Sequence, residues 1–245
     1  MNFESLEELI LIDDKIINIA PIFSCEYPKL KKLHLENNLI DNKIIEYLDK
    51  ANYPELTFLS LYVNKLTSLE IFRVVSNFKK LESFHIGENK FDFKKKPKEK
   101  YKFPESITEL GLTGNFDEDY CEFIEDLGIE NLKSFYFSRN KLKNLECLKK
   151  IRFKQLYKFW GISNEITDIK QIENINNKET LKIINLKDNK INNFNKLFGI
   201  IGKFPNLEKF DVSYNDIKQV EVEEMKKKIK DKYNWDLNII VEKNC

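Results

Sequence analysis

Apolar residues recur along this chain in a short, strict rhythm. Its fullest form is Leu181–Ile191, LKIINLKDNKI, which reads L-x-x-I-x-L-x-x-N-x-I. Aligned on the first apolar residue, nine copies begin at Leu6, Leu30, Leu56, Leu81, Ile107, Leu132, Leu156, Leu181 and Leu207, spaced by 24 to 26 residues. The ninth position is Asn38, Asn64, Asn89, Asn115, Asn140, Asn164, Asn189 and Asn215 in eight copies and Asp14 in the first. A fixed period of this length marks a stack of like units. The x-L-x-L centre alternates, as a short strand with one buried face must. No single copy can bury that face, so neighbours must stack and share a core. Counted from the first residue, positions 1, 4 and 6 are expected to face the core, and positions 3, 5, 7 and 8 the solvent.

The motif resembles the signature of the leucine-rich repeat family, L-x-x-L-x-L-x-x-N-x-L, and the likeness runs over nearly the whole chain. The resemblance implies an α/β fold: a right-handed solenoid, or horseshoe, with a parallel concave sheet and short convex helices. One domain is expected over residues 1–245, with the repeats at 6–217 and a cap at 219–241. An Asn side chain offers two donors and an acceptor. The column Asn38 to Asn215 is therefore expected to satisfy backbone groups where each repeat turns away from its strand. Such a scaffold supplies a binding surface without naming what binds.

The linkers read mostly as one short helix per repeat. Residues 42–50 put Ile44, Ile45 and Leu48 on one face, and Ser68 can cap a helix carrying Leu69, Phe72 and Val75. Asn144, Asp168 and Phe194 open comparable segments. Tyr27-Pro28, Tyr53-Pro54, Phe103-Pro104 and Phe204-Pro205 end several of them, because proline favours an extended entry to the next strand. Residues 91–105 differ: six lysines and two prolines without helical periodicity predict an irregular basic segment. Gln219–Tyr233 reads as an amphipathic helix with Val222, Met225, Ile229 and Tyr233 inward, followed by a strand over Leu237–Val241. At the other end the first repeat starts within six residues of Met1. Its edge is open to pairing unless residues 1–5 or a partner cover it, or the natural chain is longer.

Composition narrows the function classes. Of 41 Lys and Arg only three are Arg, leaving 38 Lys, and there are two Ala. This bias suits an AT-rich genome and weakens any reading of the lysines as a designed patch. A net charge of +1 argues against duplex nucleic acid as a global partner. The acidic start MNFESLEEL, the absence of an N-x-S/T sequon and the scattered Cys25, Cys121, Cys147 and Cys245 point to a reduced, intracellular (cytoplasmic) protein without a signal peptide or membrane span. Cys121 and Cys147 stand at nearly equivalent offsets in adjacent linkers, and buried free thiols are the expectation there.

Chemistry is sparse. No glycine-rich phosphate loop, H-E-x-x-H or C-x-x-C occurs. The two histidines, His34 and His85, share one position two repeats apart, which separates their strands by roughly 9–10 Å. Two imidazoles on one metal ion must each come within about 2 Å of it. No metal, cofactor or catalytic residue is assigned on this basis.

What stands out is the outward face. Tyr136 and Trp160 occupy position 5 of neighbouring repeats, and Arg139, Lys158, Ile162 and Ile183 surround them. Aromatics beside an arginine are the usual composition of an interface hot spot. Phe58 and Tyr62 form a smaller cluster beside His34 and His85. Gly161 takes position 6, where the other copies are large and apolar, and Phe137 of the preceding repeat is the ring expected to fill the gap. The leading expectation is a non-catalytic scaffold taking a protein or peptide on its concave sheet. One alternative is a nucleic-acid or nucleoprotein adapter using residues 94–102. The other is a structural subunit docking through its N-terminal edge.

Overall fold

The computed structural model describes residues 2–92, 102–115, 123, 124, 127–233 and 237–242. Its contacts group into two compact units, Met1–Asn131 and Leu132–Cys245. In the first unit five three-residue strands, β1 (Glu8–Ile10), β2 (Lys32–His34), β3 (Phe58–Ser60), β4 (Ser83–His85) and β5 (Glu109–Gly111), pair in parallel and in chain order. In the second unit β6 (Ser134–Tyr136), β7 (Lys158–Trp160), β8 (Ile183–Asn185), β9 (Lys209–Asp211) and β10 (Asn238–Ile240) do the same. From repeat to repeat the strands pair at equal positions, Leu33 with Leu59 and Phe159 with Ile184 for example. This register follows from the pattern, since a one-residue slip would turn every apolar side chain to water.

Position 4 supplies the centre of each core: Leu33, Leu59, Phe84 and Leu110 are wholly buried in one unit, and Phe135, Phe159, Ile184 and Phe210 nearly so in the other. Burying each such side chain contributes about 1.5–3 kcal/mol. The linkers lie behind the sheets. Helices span Ala20–Phe23, Ile44–Lys50, Glu70–Val75 and Phe194–Ile201, while Glu146–Lys149 and Lys170–Asn174 form single 3₁₀ turns. Their starts use local acceptors: Ser68 Oγ takes the Glu70 N–H, Asp168 Oδ1 that of Lys170, and Asn193 Oδ1 that of Lys196. Gln219–Tyr233 is helical, with Val222, Met225 and Ile229 buried, and Ile239 of β10 is buried too.

The asparagine column works as a ladder of bonds. Asn64 Nδ2 donates to Leu61 O of its own repeat (3.1 Å) and to Leu35 O of the preceding one (2.9 Å). Its Oδ1 accepts the Ile40 N–H (3.0 Å). Asn38, Asn189 and Asn215 repeat the scheme, and all eight asparagines are buried. The residue just before this column has positive φ in all nine repeats: Asp13, Asn37, Val63, Glu88, Gly114, Arg139, Ser163, Asp188 and Tyr214. The sharp turn that aims Asn at the backbone therefore demands a left-handed residue, and only Gly114 takes it without steric cost.

Ion pairs cross from repeat to repeat along the surface, among them Lys31–Glu7, Lys80–Glu55, Lys182–Glu208 and Lys190–Glu165. Pairs this exposed contribute little each.

The N-terminal repeat differs from the rest. Leu6, Leu9, Leu11 and Ile16 are half-exposed where later copies bury the same positions, and Ile10, Ile12 and Ile17 are exposed. Residues 2–3 do not cover this edge. Asn2 bridges to Glu26, the Phe3 N–H donates to Glu26 O, and the Phe3 ring stacks on Tyr27 at 5.4 Å. Among the described residues β1 pairs with β2 alone.

Candidate functional site on the outward sheet face

Positions 3, 5 and 7 of each repeat lie on the sheet face opposite the helices. In residues 132–245, β6 and β7 pair Tyr136 directly with Trp160, and the ring centroids are 6.0 Å apart with the planes tilted by 40°. Both rings are half-buried. Lys158 lies beside Ser134 on one strand and Ile183 on the other, and Trp160 beside Asn185. Ile162 and Ile183 are half-exposed, and Arg139 is exposed on the left-handed turn, its N–H donating to Ile162 O. The six residues named from the sequence are thus brought together on one patch.

Inward from that patch, a Cβ on Gly161 would lie 2.4 Å from Cε2 and Cζ of Phe137. The Phe137 ring fills the hole that Gly161 leaves. The same large-over-glycine arrangement recurs in residues 1–131, where Tyr62 lies against Gly87 and His85 against Gly111.

There the rings of His34, Phe58 and His85 form a row, with Phe58 4.5 Å from His34 and 5.7 Å from His85. Phe58 stands between the histidines, so the two rings do not ligate one metal ion. Among the described residues no group of three or more His, Cys, Asp and Glu is placed to hold a metal ion. Ser83 Oγ (3.1 Å) and Glu109 Oε1 (2.8 Å) both meet His85 Nε2. A nucleophilic triad needs the nucleophile and the carboxylate on opposite ring nitrogens of the histidine, so this grouping is not one.

The structure adds residues that the motif alone does not mark. His34 Nε2 meets Glu8 Oε1 at 3.2 Å and its Nδ1 meets Glu36 Oε1 at 3.2 Å, so His34 is bracketed by two glutamates, and His85 has Glu109 at its Nε2. Their signal was in the outward columns, where Glu8 and Glu109 take position 3 and Glu36 position 7. The expectation that all of position 5 is open to solvent is corrected: Ser60, Gly111, Asn185 and Asp211 are buried. Strands about 4.8 Å apart let the larger side chains of neighbouring repeats close over smaller ones.

Of the basic segment 94–102 only Lys102 belongs to the described residues. Cys25 is a free thiol and Cys147 is buried, while Cys121 and Cys245 lie outside the described residues. No helix among the described residues is long and apolar enough to cross a membrane.

Solved proteins share this fold. The chain matches an internalin (inlF) from Listeria monocytogenes with a TM-score of 0.58 at 18% identity, covering 97% of this chain and 67% of that one. The chain has the leucine-rich repeat fold. The functional domain of InlJ from Listeria monocytogenes, which includes a cysteine ladder, matches at TM-score 0.59 and 17% identity, over 97% of this chain and 54% of that one. The LRIM1/APL1C complex matches at TM-score 0.56 and 20% identity, over 87% of this chain. This leucine-rich repeat chain spans only 36% of the length of that last neighbour. No family model matches the chain, and no curated protein does.

Proposed function

We propose that this leucine-rich repeat chain is a non-catalytic interaction scaffold that takes a protein or peptide on the outward sheet face of residues 132–245. One observation carries the reading: Tyr136 and Trp160 stand in register on adjacent strands, 6.0 Å apart, beside an exposed Arg139 and two half-exposed isoleucines. Rings held on strands lose little freedom on binding, and large aromatics with arginine dominate interface energies. The fold neighbour solved as the LRIM1/APL1C complex supports interaction as the use of such a scaffold.

The test compares affinity capture by the wild-type chain and by Trp160→Ala, with urea unfolding as the control for fold. Partners captured by the wild type and lost from an equally stable Trp160→Ala protein support the reading. Equal capture by both overturns it.

A second reading, a subunit that docks through its N-terminal edge, is favoured by Ile10, Ile12 and Ile17, which are 57%, 42% and 67% exposed. Natural proteins usually cover or charge such an edge. Sedimentation as a strict monomer at all concentrations, alone and with captured partners, counts against it.

A further inference from the structure

The two units carry opposite charge at equivalent repeat positions. At positions 3, 5, 7 and 8 of the five repeats in residues 1–131 stand Glu8, Asp13, Glu36, Glu88 and Glu109 against Lys32 alone, a net of −4 with neutral histidines. The four repeats from Leu132 to Tyr214 carry Lys158, Lys187, Lys209 and Arg139 against Asp188 and Asp211 there, a net of +2. The whole chain is close to neutral, at +1.

In the first unit the acidic groups gather around the His34–Phe58–His85 row. The rings occupy the floor of the strip, and Glu8, Glu36 and Glu109 stand around them. His34 has a carboxylate at each ring nitrogen, Glu36 at Nδ1 and Glu8 at Nε2. Glu8 also has Lys32 at 3.4 Å, but Glu36 has His34 alone, and its Oε2 is shielded from water without a hydrogen-bond partner among the described residues. A carboxylate with too few donors, held beside apolar rings, favours an arriving cation more than a fully solvated one does. Aromatic floor and acidic rim together suit the long apolar stems and charged heads of Lys and Arg.

We infer that the outward sheet face of residues 1–131 binds an extended, lysine- and arginine-bearing peptide segment across Glu8, Glu36 and Glu109, over the His34–Phe58–His85 row. This inference shares with the proposed function only the use of the sheet face, and it concerns a different patch.

The test uses the full chain and three fluorescein-labelled peptides of equal length: Lys/Arg alternating with Gly, Glu alternating with Gly, and Ser alternating with Gly. Anisotropy is read at low and high salt for wild type, for Glu8→Gln/Glu109→Gln and for Trp160→Ala. The two glutamate side chains are 42% and 36% exposed, so the double variant keeps the fold, which circular dichroism and urea midpoints verify. The expected result is selective binding of the basic peptide, weakened at least about tenfold in the double variant and by added salt, and unchanged in Trp160→Ala. Absence of basic-peptide binding overturns the inference, as does binding untouched by the double variant. Loss in Trp160→Ala alone overturns it and places the peptide on the Tyr136–Trp160 patch. Should Trp160→Ala abolish capture of other partners while basic-peptide binding persists, both readings stand, each on its own patch.

Discussion

The ring of Phe137 occupies the space that Gly161 leaves open one repeat later. A Cβ at Gly161 would meet its Cε2 and Cζ at 2.4 Å, beneath the strand that carries Trp160. Gly161→Ala must push this fully packed ring and is expected to destabilise the chain by about 1–3 kcal/mol. Phe137→Ala opens a cavity and costs about 3–5 kcal/mol. In the Phe137→Ala background the added methyl has room, so Gly161→Ala should then cost little. Urea unfolding of the four proteins measures the coupling, and strictly additive costs would sink the account.

The asparagine ladder predicts a steep cost for losing one rung. Asn64→Ala removes donors to Leu35 O and Leu61 O and the acceptor of the Ile40 N–H, all buried. About 2–4 kcal/mol is expected, because the backbone groups are left without partners and out of reach of water. The exposed Asn192, changed to Ala, should stay within about 0.5 kcal/mol of wild type. Equal midpoints for the two variants would refute the ladder as a source of stability.

Val63 holds the left-handed turn with φ of 52°, a conformation in which a β-branched side chain is strained. Asn37 takes the same place one repeat earlier. Val63→Asn is expected to raise the urea midpoint by the equivalent of about 1 kcal/mol. A fall in the midpoint would mean that packing by the Val63 methyls outweighs the backbone strain.

Tyr27 links stability to alkaline pH. Burial, followed by a hydrogen bond with Cys25, pushes its phenol up from 10.0 to about 12. Burial pushes that of the neighbouring Tyr53 up as well. A raised folded-state value means that the stabilisation is fully present below pH 10 and is lost as pH rises from 10 to about 12. Tyr27→Phe has no proton to lose, so its urea midpoint should fall less than that of wild type between pH 9 and 12. Parallel pH profiles for the two proteins would contradict this.

Local pattern determined much of this protein. A motif with period 24 to 26 specifies its strands, because alternating apolar residues bury one face only when repeats stack in register. The same ruler placed Tyr136 beside Trp160 and set Phe137 against Gly161, since equal positions become spatial neighbours. The tertiary structure decided what depends on contacts between repeats. That Ser60 and Asp211 are buried while Trp160 stays half-open depends on which larger side chains flank them. That Glu8, Glu36 and Glu109 bracket the histidines depends on side-chain reach across strands, which a column of letters does not encode. The left-handed turn was equally hidden in all repeats but the one with Gly114, because residues such as Asp, Val, Arg and Tyr hold it without the glycine that would mark it. A periodic sequence specifies neighbours; the rotamers those neighbours adopt, and the charges they turn to the surface, come only from packing them together.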